Sequence, residues 1–314
     1  AHEALSGSHR YPDPSYRALR TALSDRYGIP PQRIALGNGS CDILLAAGEA
    51  LLEPGAELLF ASPSFSVYQH LAAASGARAI EVPLDSEARH DLDAMADEIT
   101  VATRLILVCN PNNPTSTSLE LSAVEAFLEC VPRHVCVILN EAYCEYALAL
   151  GDTYASLDLL RRWPNLVILR TFSKVYGLAG LRVGYGLCGS ETFRAAVDQV
   201  RQPFYLNVAA QAAAVEALKY QDEVERRVTR TVASRIEVTD GLRDLGLWVA
   251  DSDANFIWTQ LPEGASEPDV LAGLTERGVL VRAGGALGRE GSMRVTVGNE
   301  DENQRFLAAM AELV

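Results

Sequence analysis

Apolar residues occur along this chain in two kinds of run. Short continuous runs are typical of parallel strands that are buried on both faces. They lie at residues 34–36, 57–61, 79–83, 104–109, 134–139, 165–169 and 181–186. The stretches between them carry apolar residues at helical spacing, for example Leu19, Leu23 and Tyr27. Strands that alternate with helices predict an α/β fold whose large domain has a mostly parallel, doubly wound sheet.

The pattern changes near residue 203. Residues 201–207 interrupt a helix, and two long helical stretches follow at 208–220 and 223–245. Strand-like runs then surround one more helix, at 254–259, 267–277, 279–282 and 292–297. This order predicts a small α+β domain. We therefore divide the chain into an N-terminal segment that belongs to an interface or to the small domain, a large domain and a small C-terminal domain, at residues 1–28, 29–203 and 204–314.

Composition narrows the class of protein. With 314 residues, 48% of them hydrophobic and 22% charged, the chain can bury a sizeable core. Its formal charge of −14 argues against nucleic acid and anionic membranes as partners, so an anionic substrate needs local arginines. The sequence contains no run of 18 apolar residues and no leader pattern, which predicts neither a membrane span nor a signal peptide.

The cysteines and histidines do not form a recognisable ligand set. Six cysteines are scattered without a Cys-x-x-Cys pair, and five histidines show no ligand spacing. Neither a metal site nor a disulfide framework is therefore predicted. A reducing, cytoplasmic location fits this usage best.

Residues 170–186 hold the strongest chemical signal. Lys174 lies between the hydroxyls of Thr171 and Ser173 and a glycine-rich apolar run, eight residues before Arg182. Shielding from water and a nearby cation both penalise the ammonium form, so the amine is biased toward its nucleophilic form. The plain alternative is a surface lysine in a loop between strands.

Polar residues follow several of the predicted strands. Gly37–Asp42 leads from a strand into a helix, an arrangement in which backbone N–H groups can bind a phosphate. Residues 110–115 and 140–143 follow two buried strands, at the sheet edge where open α/β sheets bind ligands. Each of these segments, taken alone, could equally be a structural turn.

Taken together, these motifs resemble the class I/II aminotransferases, which use pyridoxal 5′-phosphate on the fold type I scaffold. The resemblance extends from Tyr11 to Gly298 and is greatest to the histidinol-phosphate and aromatic aminotransferases. It also implies an N-terminal arm ahead of residue 1. It implies cofactor contacts from Gly39, Ser40, Cys41, Phe65, Asn113, Asn140, Tyr143, Ser173, Lys174, Arg182 and Tyr11.

The resemblance assigns a role to each group. Lys174 would hold the cofactor and then act as the base. Gly39, Ser40, Cys41, Ser173 and Arg182 would bind its phosphate. Phe65 would stack on its ring, and Asn113 and Tyr143 would bind its 3-oxygen. Tyr11 would reach the phosphate of a partner subunit, which implies a homodimer with shared active sites.

Position 140 departs from the family pattern, which has Asp-Glu-Ala-Tyr where this chain has Asn140-Glu141-Ala142-Tyr143. An aspartate at this position would keep the ring nitrogen protonated and make the ring a better electron acceptor. A neutral amide can bind that nitrogen but cannot stabilise its proton by charge. Weakened catalysis is therefore expected, and cofactor binding is expected to survive.

The substrate would be held by Arg294 and Arg282, with Asn113 beside them. Two cations suit a phosphate or a carboxylate equally well. The reaction implied by the resemblance is transamination between an amino donor and a 2-oxo acid, with histidinol phosphate and 2-oxoglutarate as the expected pair. The alternatives are an aromatic amino-acid transaminase, a threonine-phosphate decarboxylase and a non-catalytic protein that binds the cofactor.

Overall fold

The computed structural model describes residues 2–147 and 154–314. The helices in these residues are α1 (His2–Ser6), α2 (Arg17–Tyr27), α3 (Ser40–Leu51), α4 (Val67–Ser75), α5 (Leu92–Asp97), α6 (Leu121–Cys130), α7 (Leu159–Arg162), α8 (Glu191–Val200), α9 (Val208–Ala217), α10 (Gln221–Asp244), α11 (Glu267–Glu276) and α12 (Glu300–Leu313). The strands are β1 (Ile34–Gly37), β2 (Glu57–Ser62), β3 (Arg78–Pro83), β4 (Thr103–Cys109), β5 (Cys136–Asn140), β6 (Leu166–Thr171), β7 (Gly184–Cys188), β8 (Trp248–Val249), β9 (Phe256–Gln260), β10 (Arg282–Ala283) and β11 (Ser292–Thr296).

Seven strands form the main sheet, in the order β1-β7-β6-β5-β4-β2-β3. The five strands β3, β2, β4, β5 and β6 pair in parallel, whereas β7 pairs antiparallel with both β6 and β1. The predicted mostly parallel sheet is therefore confirmed. Since parallel strands end at the same edge, the loops after β4, β5 and β6 are brought together there.

Both faces of this sheet are covered by helices. Along β4, Ile106 and Val108 pack into one apolar cluster with α2, α6, α7 and α9, while Leu105 and Leu107 pack into a second cluster with α3, α4 and α8. All four side chains are almost fully buried. Alternate residues of a strand point to opposite faces of the sheet, and here both faces are packed. This explains why the strand sequences are continuous apolar runs.

The second sheet is antiparallel, in the order β10-β11-β9-β8. Its apolar cluster includes Ile257, Met293 and Val295 and is closed by α10, α11 and α12. The helix α9 packs elsewhere, because Ala210 and Ala214 join the large cluster that also contains residues of α2. The division of the chain at residue 203 stays a prediction.

One predicted strand is shorter than expected. Residues 181–186 read as a strand, but residues 179–181 form a 3₁₀ turn and β7 begins only at Gly184. The cause is Arg182, whose φ of 59° lies in the left-handed region and is incompatible with an extended strand. This turn directs the Arg182 side chain toward α3.

None of the helices in residues 2–147 and 154–314 is long and apolar enough to cross a membrane. All six cysteines are free.

Candidate active site

A cavity of about 310 Å³ lies at the edge of the main sheet where β4, β5 and β6 end. It is lined by eleven of the residues that the sequence singled out: Ser40, Cys41, Phe65, Asn113, Asn140, Tyr143, Ser173, Lys174, Arg182, Arg282 and Arg294. These residues come from both sheets and from the first turn of α3, so only the folded chain brings them together.

One end of the cavity is suited to a phosphate. The helix α3 begins there at Ser40, and no side chain caps its first turn. Free N–H groups at a helix N-terminus favour an anion. Gly39 has a φ of +82°, and a Cβ atom at this position would collide with the Arg182 guanidinium. The glycine therefore lets the arginine approach the start of the helix.

Lys174 lies in the cavity between this end and the arginines of the second sheet. Its Nζ atom is 4.9 Å from the centre of the Tyr143 ring. Burial lowers the pKa of Lys174, and the charges of Arg294 and Arg182 lower it further. The shift has the direction that the sequence predicts for a nucleophilic lysine, and the role of Lys174 stays a prediction.

Arg294 reaches from the second sheet to the loop after β4. Its Nη1 atom donates a hydrogen bond to Asn113 Oδ1 at 2.6 Å, and its guanidinium lies 4.9 Å from the centre of the Phe256 ring. Because Asn113 Oδ1 accepts this bond, the amide nitrogen is the group left to donate into the cavity. Arg282 faces Arg294 in the register of β10 and β11, which places two cations side by side.

Asn140 ends β5 and is almost fully buried, with 4% of its surface exposed. Its Nδ2 atom donates to the Tyr68 hydroxyl at 3.0 Å. Its Oδ1 atom is buried and has no hydrogen-bond partner among the described residues. A buried carbonyl oxygen without a partner costs free energy, so it favours a ligand that brings a donor.

The two strand ends that carry these groups are joined by a buried ion pair. Arg170, at the end of β6, donates from Nε and Nη2 to Glu141 Oε2 at 2.9 and 2.7 Å. Both side chains are less than a tenth exposed. Glu141 follows Asn140, and Arg170 precedes Thr171, so the pair holds the neighbouring site residues in register.

The cavity is strongly cationic although the chain is acidic overall. Lys174, Arg182, Arg282 and Arg294 contribute positive charge, and no described residue that lines the cavity is a carboxylate. This is the local concentration of arginines that the charge of −14 requires for an anionic ligand. The described residues contain no group of three or more His, Cys, Asp or Glu side chains that could hold a metal ion.

Two predicted site residues do not line the cavity. Gly39 lies directly before the lining residue Ser40, against the Arg182 guanidinium. The Tyr11 side chain is 81% exposed and stacks on Phe204, with ring centroids 4.6 Å apart. Its predicted role depends on a second subunit, and nothing within one chain tests that role.

Sequence reasoning also missed residues that belong to the site. Tyr68 accepts a hydrogen bond from Asn140, and Ser64 donates to Asn112, the neighbour of Asn113. Ser64, Cys109 and Thr171 line the cavity. Cys109 could have been found from its position at the end of a buried strand. Tyr68 carries no such signal, because it looks like any apolar residue of an amphipathic helix.

The comparison with known proteins agrees with this geometry. Residues 2–310 match the family described as Aminotransferase class I and II. The chain belongs to this family and is a pyridoxal-phosphate-dependent aminotransferase, as its motifs predicted.

Several relatives match over nearly the whole chain. It is 44% identical to the histidinol-phosphate aminotransferase 2 of Ralstonia nicotianae, covering 98% of this chain and 82% of that protein. It is 43% identical to an aromatic amino acid aminotransferase of Rhodococcus opacus, covering 98% and 83%. Among solved structures, the histidinol-phosphate aminotransferase of Sinorhizobium meliloti in complex with pyridoxal-5′-phosphate aligns with a TM-score of 0.90 at 29% identity, covering 99% of this chain and 84% of that one. The predicted fold type I architecture is thereby confirmed.

The residues present fit pyridoxal phosphate. The uncapped start of α3 and Arg182 suit its phosphate, and Lys174 suits its aldehyde. The unpartnered Asn140 Oδ1 supplies an acceptor for an N–H donor. The position that departs from the family pattern therefore still offers the cofactor a hydrogen bond, although without a charge.

Proposed function

We propose that this aminotransferase transfers the amino group of histidinol phosphate to 2-oxoglutarate, giving imidazole acetol phosphate and glutamate, a reaction of histidine biosynthesis. The observation that carries the proposal is the position of Lys174 between two cationic ends of one cavity, with Arg182 at one end and Arg282 and Arg294 at the other. The first end suits the phosphate of the cofactor and the second a phosphate of the substrate. The names of the Ralstonia and Sinorhizobium relatives support this reading.

Each side chain then has a defined task. Pyridoxal phosphate supplies an aldehyde carbon that amines attack and a ring that accepts electron density from the substrate α-carbon. Lys174 would hold the cofactor through its amine and, as a neutral base, would take the substrate α-proton and return it. Ser40, Cys41, Ser173 and Arg182 anchor the phosphate, with Gly39 giving the arginine room.

The remaining side chains orient the cofactor. Phe65 covers the ring, and the Asn113 amide nitrogen and the Tyr143 hydroxyl bind the 3-oxygen. Asn140 accepts a hydrogen bond from the ring nitrogen. These roles rest on the resemblance together with the shared cavity.

A second candidate is transamination of aromatic amino acids. A relative with this name is as similar to the chain as those named for histidinol phosphate, at 43% against 44% identity. Arg282 and Arg294 would then hold a carboxylate, and the neighbouring ring of Phe256 would offer an apolar surface. The pair of cations does not distinguish these two substrates.

The proposal includes a cytoplasmic homodimer with shared active sites. Tyr11 is exposed on the surface of the single chain and rests on Phe204, which suits a residue that contacts a second subunit. The division into segments 1–28, 29–203 and 204–314 belongs to the same proposal.

Initial rates with three amino donors test the substrate. Histidinol phosphate, phenylalanine and O-phosphothreonine are compared at equal concentration, with formation of glutamate from 2-oxoglutarate as the readout. The largest kcat/KM is expected with histidinol phosphate. A larger value with phenylalanine would favour the second candidate, and release of carbon dioxide from O-phosphothreonine would contradict both. Conversion of the bound cofactor to its amine form by glutamate alone tests for transamination itself.

The role of Lys174 can be tested against a matched control, since the chain contains only two lysines. Lys174→Ala is expected to lose the visible absorbance of the covalently held cofactor and at least about 10³-fold in turnover. Lys219→Ala removes an exposed lysine that pairs with Glu216 and should leave both unchanged. Borohydride reduction of the wild type should add the cofactor mass to the peptide of Lys174 alone, and labelling of Lys219 would contradict the assignment.

A further inference from the structure

Three buried side chains, those of Asn140, Tyr68 and Cys109, lie beside one another at the cavity. Asn140 Nδ2 donates to the Tyr68 hydroxyl at 3.0 Å. The Cys109 thiol donates to the carbonyl oxygen of Pro111, with 3.4 Å between sulfur and oxygen. Tyr68, Cys109 and Asn140 are 0%, 2% and 4% exposed, so water does not compete for these groups.

The direction of these bonds follows from what each group can donate. A backbone carbonyl can only accept, so the single proton of the Cys109 thiol is directed at Pro111 and not at Tyr68. The Tyr68 oxygen accepts from Asn140 Nδ2. The amide nitrogen of Asn140 therefore points toward Tyr68.

The consequence is that Asn140 presents its carbonyl oxygen to the cavity. Oδ1 has no partner among the described residues and cannot donate. A bound group that faces Oδ1 without a hydrogen to donate would leave two lone pairs opposed. In pyridoxal phosphate the ring nitrogen lies across the ring from the carbon that bears the aldehyde, and so on the side away from Lys174.

We infer that Tyr68, a positioning residue, holds the Asn140 amide with its oxygen toward the cavity, so that this chain binds the cofactor's ring nitrogen as N–H through a neutral acceptor. This inference rests on the proposed function. It concerns two residues of this chain that no motif pairs, one of them in α4 and the other at the end of β5.

Electrostatics makes such an N–H group easier to deprotonate. The charged side chains that line the cavity are Lys174, Arg182, Arg282 and Arg294, all cationic, and the other titratable groups there are Cys41, Cys109 and Tyr143. No carboxylate among the described lining residues balances a protonated ring. The ring nitrogen is therefore expected to lose its proton at a lower pH than it would beside an aspartate.

The experiment measures the protonation of the ring nitrogen itself. Holoenzyme is reconstituted with ¹⁵N-labelled pyridoxal phosphate, and the ¹⁵N chemical shift is followed from about pH 5 to about pH 9. This range includes the pH at which an unperturbed histidine ring titrates. In Asn140→Asp the N–H form should persist to a pH at least about one unit higher than in the wild type, since charged hydrogen bonds are stronger than neutral ones.

Tyr68→Phe removes the acceptor of Nδ2 and frees the amide to turn its nitrogen toward the ring. The N–H form should then disappear at a lower pH than in the wild type. Tyr205→Phe is the matched control, because the Tyr205 hydroxyl is also buried but has no hydrogen-bond partner among the described residues. It should titrate as the wild type does.

Three results would overturn the inference. A ring nitrogen without a proton at every pH in the wild type would mean that Nδ2 faces the ring. Identical titrations of wild type and Tyr68→Phe would remove the role of Tyr68, and identical titrations of wild type and Asn140→Asp would mean that a neutral amide holds the proton as firmly as a carboxylate. A failure of the proposed function looks different, because the protein would then bind no cofactor and show no visible absorbance.

Discussion

A single change of functional group separates asparagine from aspartate at position 140, and it alters the charge of the cavity. Asn140 has the size of the family's aspartate, and its amide nitrogen donates to Tyr68. It lacks the negative charge that would balance a protonated ring among four cations. We therefore expect binding and rate to separate at this residue, because a neutral hydrogen bond can hold the ring but does not make it a strong electron acceptor.

Asn140→Asp is expected to increase the rate. A charge-assisted hydrogen bond exceeds a neutral one by about 1 kcal/mol, which corresponds to roughly a five-fold rise in kcat. Single-turnover rates with the preferred amino donor measure the effect without product release. A faster Asn140 form would contradict this account of the ring nitrogen.

Gly39 tests the phosphate end of the cavity. In Gly39→Ala the new methyl group collides with the Arg182 guanidinium, and a φ of +82° disfavours any residue with a Cβ atom. Loss of one charge-assisted bond of about 1.5–3 kcal/mol should weaken cofactor binding roughly 10- to 100-fold. A titration of apoenzyme with pyridoxal phosphate measures the affinity.

Gly180→Ala is the control for this substitution. Gly180 lies two residues before Arg182, and a Cβ atom there would meet no other group within 4 Å. Its cofactor affinity should equal that of the wild type. Equal affinities for the two variants would show that the Gly39–Arg182 contact does not support the phosphate site.

At the scale of elements, a buried polar network joins the loop after β2 to the loop after β4. Asn112 Oδ1 accepts from Ser64 Oγ at 2.7 Å and from His90 Nε2 at 3.1 Å, and Asn112 Nδ2 donates to Pro63 O and Thr115 Oγ1. These loops also carry Phe65 and Asn113. The network therefore fixes the position of Phe65 relative to Asn113, the residues that we propose cover the ring and bind the 3-oxygen of the cofactor.

The network should make stability depend on pH. His90 is 4% exposed, and burial lowers its pKa from 6.5 to about 4. A base whose pKa is lower in the folded state binds more protons when the chain is unfolded. The contribution of neutral His90 to the free energy of unfolding is therefore complete above about pH 6.5, and it is lost as the pH falls toward 4. The loss amounts to about 3 kcal/mol. Free energies of unfolding in urea, measured across this window, should show it.

His90→Gln provides the comparison, since an amide can still donate to Asn112 but does not titrate. Glu145 has the opposite effect on stability. Desolvation raises its pKa to about 7, so its contribution to the free energy of unfolding falls as the pH rises. That effect is common to both proteins. The difference between their unfolding free energies should therefore change with pH, and parallel curves would contradict the role of His90.

The elements themselves were largely predictable from the sequence. Runs such as 105–109 are apolar at every position because β4 lies between two packed layers. The exit loops were also predictable, since parallel strands deliver their carboxyl ends to one edge. The start of β7 was not, because the left-handed conformation of Arg182, which brings its side chain to the start of α3, has no signal in the local sequence.

At the scale of the whole molecule, the cavity depends on contacts between distant parts of the chain. Arg294 donates a hydrogen bond to Asn113, which lies 181 residues earlier in the chain. The backbone N–H of Asp253 donates to the carbonyl of Ser116 at 2.8 Å, and Arg235 Nη1 donates to the carbonyl of Tyr146 at 3.1 Å. These bonds hold the second sheet against the exit loops of the first, so that Arg282 and Arg294 line the same cavity as Lys174.

A mixing experiment tests the proposed sharing of sites between subunits. If Tyr11 serves the partner's site, a dimer of Tyr11→Ala with Lys174→Ala contains one intact site. Refolding the two variants together should then give more activity than the sum of the two refolded apart. Mixed Lys219→Ala and Lys174→Ala chains control for dilution. Equal activities in the mixed and separate samples would contradict a shared site.

What the sequence determined by itself is the alternation of strands and helices, the polar residues at the strand ends, the lysine and the asparagine at position 140. All of these are properties of contiguous stretches, which period and spacing can detect. Only the tertiary structure decided that the amide nitrogen of Asn140 donates to Tyr68 and that its oxygen has no partner among the described residues. Asn140 ends β5 and Tyr68 lies on α4, and a hydrogen bond between two elements is not a property of either segment alone.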